Sequence, residues 1–209
     1  MVRSIVANFL FILAVGVISM TSQAGEKAPQ KAEEAPVKTT NPRVNLVTNK
    51  GAIVIELYPD KAPESVKNFI EYVNSGYYNG TTFHRVIPNF MIQGGGFEPG
   101  LKRKETREPI KNEADNGLKN DIGTIAMART NVPHSATSQF FINTRDNDFL
   151  NHTEPSPRGW GYAVFGKVIE GMDTVKAIEQ VSTGFSGGHQ NVPAEDVIIE
   201  KATMLKDGS

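Results

Sequence analysis

Short segments rich in β-branched residues, separated by glycine-containing turns, dominate the chain from Arg43 onward and most restrict the folds open to it. Val44–Thr48 and Ala52–Tyr58 flank the sequence Asn49-Lys50-Gly51, which predicts an antiparallel hairpin. Later segments of the same kind predict further strands at Ile122–Ala128, Gln139–Asn143, Tyr162–Val168 and Val197–Leu205.

Two segments have the residue spacing of an amphipathic helix. The first begins at Pro63, where proline is tolerated in the first turn, and ends near Gly76. Its predicted buried face consists of Val66, Phe69, Ile70 and Val73. The second covers Met172 to Val181, with Gly184 beyond its end. Many short strands with only two helices favour a closed or nearly closed β-barrel with helices at its ends.

The composition fits one packed domain with appendages and excludes several classes of function. The chain has 209 residues, of which 39% are hydrophobic. Its net charge of −1 offers no basic excess of the kind that marks nucleic-acid binding, so no nucleic-acid partner is expected. The absence of cysteine excludes disulfides, thiolate catalysis, zinc–thiolate sites and iron–sulfur clusters.

The first 24 residues have the layout of a secretory signal peptide. An apolar run, Phe9–Ile18, follows Arg3, and Ser22-Gln23-Ala24 fits the small-x-small pattern that predicts cleavage after Ala24. The alternative is an uncleaved anchor in the inner membrane. The apolar run is short for that role, because a spanning helix needs ~20 apolar residues.

Residues 25–42 combine mixed charge with Ala and Pro and contain almost no large apolar side chain. Such a segment cannot bury enough surface to fold, which predicts a flexible linker. The predicted organisation is a signal peptide at 1–24, this linker, and one folded domain at 43–209.

The familiar motifs of phosphate, metal and hydrolase chemistry do not match the sequence. The glycine-rich run Gly94–Gly100 has the spacing of neither the dinucleotide fingerprint nor the P-loop, and it predicts tight turns instead. None of the four histidines has a partner at metal-binding spacing, and Ser135 and Ser138 lack the Gly-x-Ser-x-Gly elbow. No metal and no cofactor are therefore expected.

Aromatic, amide and guanidinium groups are concentrated in Phe83–Gly95 and Ser138–Ile142. In extended strands, Gln139 and Phe141 share one face, whereas Arg85 and Val86 point to opposite faces. Each aromatic residue alone could be an ordinary core residue. An arginine among them is harder to explain as core, because a buried guanidinium needs partners.

Several segments resemble, in order and spacing, the signature segments of the cyclophilins. They are Phe83-His84-Arg85-x-x-Pro-x-Phe-Met-x-Gln-Gly-Gly, Gly123–Ala128, Ser138–Ile142 and Val164–Val168. The stretches Pro109–Ala114 and Asn116–Asn120 resemble the bacterial branch in particular, and with the signal peptide they indicate its periplasmic members. The resemblance implies a mainly β fold, a closed eight-stranded antiparallel β-barrel capped by two α-helices. It also implies peptidyl-prolyl cis-trans isomerase activity without a cofactor.

The same resemblance implies the site residues. Arg85 would be catalytic, donating a hydrogen bond to the prolyl nitrogen of the substrate. The substrate-binding residues would be Phe90, Met91, Gln93, Ala128, Arg129, Gln139, Phe141, Phe149, Leu150 and Tyr162. Phe149 and Tyr162 stand where eukaryotic cyclophilins carry Trp and His, and Phe cannot donate the indole N–H hydrogen bond. Weak cyclosporin binding with retained isomerase activity is therefore expected.

The implied partners are proline-containing, unfolded or partly folded polypeptides among exported proteins, whose folding the enzyme would assist. Two alternatives remain: a non-catalytic proline-peptide binding module or chaperone, and a scaffold recruited through residues 25–42. A monomer is the default expectation. The segment Asn151–Gly161 is longer than in compact eukaryotic members and carries the only tryptophan. The sequence favours a surface position for Trp160 over one above the pocket.

Overall fold

The structure, a computed structural model, describes residues 41–206 as a mainly β domain. The strands are β1 Arg43–Thr48, β2 Gly51–Leu57, β3 Thr81–Thr82, β4 Arg85–Ile87, β5 Met91–Gly94, β6 Phe97–Glu98, β7 Lys102–Arg103, β8 Thr124–Met127, β9 Phe140–Asn143, β10 Val164–Glu170, β11 Thr183–Ser186, β12 His189–Pro193 and β13 Ile198–Leu205. The helices within that range are α1 Pro63–Asn74 and α2 Met172–Glu179, with short 3-10 turns at Pro99–Leu101 and Asp148–Leu150. The predicted signal peptide at 1–24 and residues 25–40 of the predicted linker lie outside the described residues.

Nine strands form one strongly curled antiparallel sheet in the order β3-β13-β1-β2-β10-β8-β9-β5-β4. Two small ribbons, β6–β7 and β11–β12, stand apart from it. Within residues 41–206, no helix is both long and apolar enough to cross a bilayer.

The expected closed eight-stranded barrel differs from the observed sheet, which has nine strands and is open. Within the described range, no ladder joins the edge strands β3 and β4. Only Phe83 and His84 separate these strands along the chain. The Phe83 N–H still donates to the Val197 carbonyl at 2.9 Å, which continues the β3–β13 pairing, and β4 then pairs with β5 instead of with β3.

Helix α1 receives its N-terminal cap from a residue far away in sequence. Ala62 precedes the helix and has no side chain that could accept a hydrogen bond. The buried Glu113 carboxylate accepts hydrogen bonds from the backbone N–H of Glu64 at 3.0 Å and of Ser65 at 2.8 Å. It also accepts one from the Ser65 hydroxyl at 2.8 Å. Glu113 thus satisfies two of the backbone donors that every helix start leaves unpaired.

The period of two along the strands separates the core from the opposite face of the sheet. Val86, Ile92, Ile125 and Ile142, from four adjacent strands, are fully buried in the main apolar core. The predicted face of α1 packs into the same core: Val66, Phe69 and Val73 are buried, and Ile70 is partly buried. Residues that alternate with these strand positions project from the other face of the sheet, where the candidate site lies.

The predicted elements are present with small shifts at their ends. The hairpin forms as predicted, with Thr48 opposite Gly51. The predicted strand at Tyr162–Val168 begins two residues later and continues to Glu170, and the second helix ends at Glu179 rather than Val181. The ribbon β11–β12 was not predicted, because its first strand is exposed along its whole length and shows no alternation of apolar residues.

Candidate active site

The register of the strands places three predicted site residues, and one residue beside them, in a single row across the sheet. In the antiparallel ladders, Arg85 on β4 pairs with Gln93 on β5, and Gln93 pairs with Phe141 on β9. Phe141 in turn pairs with Ala126 on β8. Directly opposed residues project from the same face of a sheet. The guanidinium, the amide and the aromatic ring are therefore neighbours because of the sheet itself, and the predicted opposite orientation of Val86 is confirmed by its place in the core.

Most of the predicted site residues line one cavity of about 290 Å³. Its lining consists of Arg85, Phe90, Met91, Gln93, Ala128, Arg129, Phe141, Leu150 and Tyr162. Met91, Phe141 and Leu150 belong to a second apolar cluster, separate from the main core. The cavity thus has an apolar side, suited to a small hydrocarbon ring, and a polar side formed by Arg85 and Gln93.

Arg85 is oriented by a chain of amides. Its Nη1 donates to Gln93 Oε1 at 3.1 Å, and Gln93 Nε2 donates to Gln139 Oε1 at 2.9 Å. Among the described residues, no carboxylate forms an ion pair with Arg85. A guanidinium has five N–H donors, so one bond to Gln93 fixes its direction and leaves donors for a bound group.

Gln139 lies beside the main cavity and lines two neighbouring cavities of about 390 and 220 Å³. Its side chain packs against Gly96 so closely that a Cβ atom at position 96 would lie 2.5 Å from Gln139 Cγ. The glycine at 96 is therefore what leaves room for the amide. This close packing accounts for Gly96 in the glycine-rich run, so the residue needs no phosphate-binding role.

Phe149 is the predicted site residue that lies at the rim rather than in the lining. It is 72% exposed and stacks on Phe90, with ring centroids 5.6 Å apart. The tight turn at Asp148–Leu150 directs Leu150 inward and Phe149 outward.

Arg129 holds a loop in place with its side chain. Its guanidinium donates to the carbonyl oxygens of Gly161 at 2.8 Å, Thr130 at 2.9 Å and Pro157 at 3.1 Å. The same group lies 4.7 Å from the centre of the Tyr162 ring. The sequence analysis placed Arg129 among the substrate-binding residues and missed this role, because the residue type gives no sign of which carbonyl groups its side chain will bond.

Trp160 packs between two histidine rings and is absent from the cavity lining. The centroids of His134 and His152 each lie 5.0 Å from that of the indole. Within residues 41–206, no three His, Asp or Glu side chains are placed to hold a metal ion.

His84 precedes Arg85, is only 7% exposed, and lines the neighbouring cavity of about 220 Å³ together with Arg85 and Gln139. Its ring packs against Phe97, with centroids 4.5 Å apart. Burial, which disfavours the charged imidazolium, lowers the pKa of His84 from 6.5 to about 4. The imidazole beside the candidate site is therefore neutral at physiological pH.

Comparison with known proteins gives consistent matches along the described domain. Residues 43–204 match the family described as cyclophilin type peptidyl-prolyl cis-trans isomerase/CLD. Peptidyl-prolyl cis-trans isomerase B of Escherichia coli is 65% identical over 161 residues, which are 77% of this chain and 98% of that protein. A peptidyl-prolyl cis-trans isomerase of Streptomyces antibioticus is 62% identical over 162 residues, covering 78% of this chain and 98% of that one.

Among solved structures, a cyclophilin type peptidyl-prolyl cis-trans isomerase of Cryptosporidium parvum superposes with a TM-score of 0.67 at 30% identity. The match covers 79% of this chain and 99% of that one, whose crystal structure was determined in the presence of the dipeptide Ala-Pro.

Proposed function

This chain belongs to the cyclophilin-type peptidyl-prolyl cis-trans isomerases, and we propose that it accelerates rotation about X-Pro bonds through a hydrogen bond from Arg85. The observation that carries the proposal is the position of Arg85. Its guanidinium is held by Gln93 and has no carboxylate partner among residues 41–206, and it lines a cavity of about 290 Å³ that has an apolar side.

Rotation about the prolyl bond breaks no covalent bond, so it needs no nucleophile, acid or metal. The barrier of ~18–20 kcal/mol comes from the partial double-bond character of the C–N bond. In the twisted transition state the nitrogen lone pair is localised and can accept a hydrogen bond. The Arg85 guanidinium donates that bond. Because the contact is stronger in the transition state than in the planar ground state, it lowers the barrier.

In this proposal the apolar side of the cavity, including Met91, Phe141 and Leu150, receives the proline ring. Gln93 has two roles: it directs Arg85, and its link to Gln139 keeps the amide chain along the path of the peptide backbone. The substrates are proline-containing segments of unfolded or partly folded polypeptides. The Ala-Pro dipeptide of the Cryptosporidium parvum structure is in keeping with a ligand of this size and chemistry.

A prolyl-peptide isomerisation assay on Arg85→Ala tests the mechanism. Removing one donor that acts on the transition state typically costs about 10²–10³-fold in rate, so kcat/KM should fall by that amount. Arg145→Ala is the matched control, because Arg145 is an exposed arginine outside the cavity. Equal rates for Arg85→Ala and wild type would remove Arg85 from the mechanism. A wild type no faster than the uncatalysed reaction would favour the alternative, a non-catalytic binding module or chaperone.

Weak cyclosporin binding is proposed for the same groove. Phe149 lies at its rim, and its side chain has no N–H with which to bond the ligand. Phe149→Trp should therefore tighten cyclosporin binding while leaving isomerisation of a short peptide within about twofold. Nanomolar inhibition of the wild type would contradict this proposal. We also propose that the protein is a monomer, which light scattering on the purified protein tests.

Export to the periplasm is proposed from the predicted signal peptide at 1–24, with residues 25–42 as a flexible linker between the cleavage site and the enzyme domain. Mass spectrometry of the protein from a periplasmic extract should give a chain that begins at Gly25. The full-length mass in the membrane fraction would instead support the uncleaved anchor.

A further inference from the structure

Three buried asparagines next to the cavity are hydrogen-bonded to one another through their side chains. Asn120 and Asn147 are each 1% exposed, and Asn143 is fully buried. Asn147 Nδ2 donates to Asn143 Oδ1 at 2.7 Å, and Asn143 Nδ2 donates to Asn120 Oδ1 at 3.2 Å. We call this series of three residues the asparagine chain.

The two ends of the asparagine chain bind the backbone of three cavity walls. Asn147 Nδ2 donates to the carbonyl oxygen of Phe90 at 2.9 Å. At the other end, Asn120 Nδ2 donates to the carbonyl oxygens of Leu150 and Tyr162, each at 3.2 Å. Phe90, Leu150 and Tyr162 all line the cavity; Phe90 lies between β4 and β5, and Leu150 and Tyr162 lie in the long segment between β9 and β10.

These three walls lie outside the strands, and no ladder joins Phe90 to Leu150 or Tyr162. The Phe90 carbonyl also accepts the Thr144 N–H at 3.1 Å, which continues the β5–β9 pairing but does not reach the other two walls. Leu150 and Tyr162 are joined by a backbone bond of 2.9 Å from the Tyr162 N–H to the Leu150 carbonyl. Phe90 is connected to that pair through Asn147, whose own carbonyl accepts the Leu150 N–H at 2.9 Å. The asparagine chain thus links Phe90 to the other two walls by hydrogen bonds, beside the stacking of Phe149 on Phe90 at the rim.

We infer that Asn120, Asn143 and Asn147 are positioning residues that set the width of the proline pocket and hence its affinity for the substrate ring. This inference rests on the proposed role of the cavity as the substrate site. Arg85 is fixed independently, by the β4–β5 ladder and by Gln93. Disrupting the asparagine chain therefore weakens ring binding in ground and transition states alike, and leaves the rotation step intact.

Steady-state isomerisation by Asn147→Ala and Asn143→Ala tests the inference. Both variants should raise KM by about tenfold and keep kcat within about twofold, the pattern expected when uniform binding is lost. Asn143→Ala is the sharper variant, because the Asn143 side chain forms no hydrogen bond with any of the three walls and joins the two residues that do. Asn143→Ser replaces it if the alanine variant does not fold.

The matched control is Asn68→Ala. Asn68 is also buried, and its Nδ2 donates to a backbone carbonyl, that of Thr137, at 2.7 Å, but it lies outside the asparagine chain. It should lose stability with KM unchanged. An equal rise in KM for Asn68→Ala, or an unchanged KM in folded Asn147→Ala and Asn143→Ala, would overturn the inference.

A binding measurement separates this inference from the proposed role of Arg85. The dissociation constant of a proline-containing tetrapeptide, followed through the backbone amide signals of the protein, should rise about tenfold in Asn143→Ala. It should change little in Arg85→Ala, even if Arg85→Ala turns out to have full activity. A tetrapeptide that fails to shift the signals of cavity residues in the wild type would refute both the cavity assignment and the inference.

Discussion

The buried histidine beside Arg85 predicts a specific loss of stability in acid. His84 has a pKa of about 4 in the folded protein because burial penalises its charged form, against 6.5 in an exposed histidine. Between these two values the unfolded chain binds a proton that the folded chain does not. The free energy of unfolding therefore falls as the pH falls from about 6.5 towards 4, and the contribution is fully present above 6.5.

The size of the effect follows from the shift in the pKa of His84. A change from 6.5 to about 4 corresponds, at about 1.4 kcal/mol per unit, to about 3 kcal/mol lost between pH 7 and pH 4. Urea unfolding at both values measures the total loss in the wild type, to which the carboxylates also contribute. His84→Gln has no charge to gain and keeps a polar side chain of similar size.

The difference between the free energies lost by the wild type and by His84→Gln isolates the contribution of the His84 imidazole. The wild type should lose about 3 kcal/mol more than the variant between pH 7 and pH 4. His84→Phe also cannot titrate and should lose as little unfolding free energy as His84→Gln. This second variant shows whether the result depends on the glutamine side chain. Equal losses in the wild type and both variants would show that His84 is not a buried neutral imidazole.

Three further predictions concern the cap of α1, the contact between Gly96 and Gln139, and the loop that Arg129 binds. Glu113→Gln removes the carboxylate that caps α1 and should cost about 2 kcal/mol of unfolding free energy, measured by urea denaturation; a loss below 0.5 kcal/mol would contradict the capping role. Gly96→Ala brings a Cβ atom within 2.5 Å of Gln139 Cγ and so displaces the Gln139 amide. In the isomerisation assay kcat/KM should fall by about tenfold. An unchanged kcat/KM would show that catalysis does not depend on the position of Gln139. Arg129→Ala removes three hydrogen bonds to carbonyls and should speed hydrogen exchange in residues 151–161 by about tenfold; unaltered protection would mean that other contacts hold the loop.

The local elements were predictable because their signals lie within a few residues. The hairpin β1–β2 depends on alternating β-branched residues about a short turn, and α1 on a four-residue apolar face after Pro63. The open sheet was not predictable in this way. Whether the edge strands of a curled sheet pair with each other depends on the course of the whole sheet, which no local residue pattern encodes.

The candidate site was predictable to the extent that it lies on strands. Arg85, Gln93 and Phe141 occupy one row because the period of two and the register bring them together. Side chains that bond the backbone carbonyls of distant loops could not be predicted. Every residue has a backbone carbonyl, so the sequence does not show which of them will accept a hydrogen bond. The asparagine chain and the clamp formed by Arg129 both belong to this class.

The pairing of β1 with β13 has a consequence for synthesis and for engineering. Arg43 lies opposite Leu205, so the first and last strands of the described domain are neighbours in the sheet. A nascent chain cannot complete this ladder until its final strand has been made, since contacts of such long sequence separation form only when both ends are available. The same adjacency suits a circular permutant, in which a short linker joins the two ends and new termini are opened in the exposed residues 153–155. Such a permutant would make β1 and β13 consecutive in the chain, and it should fold faster than the natural order while retaining the groove.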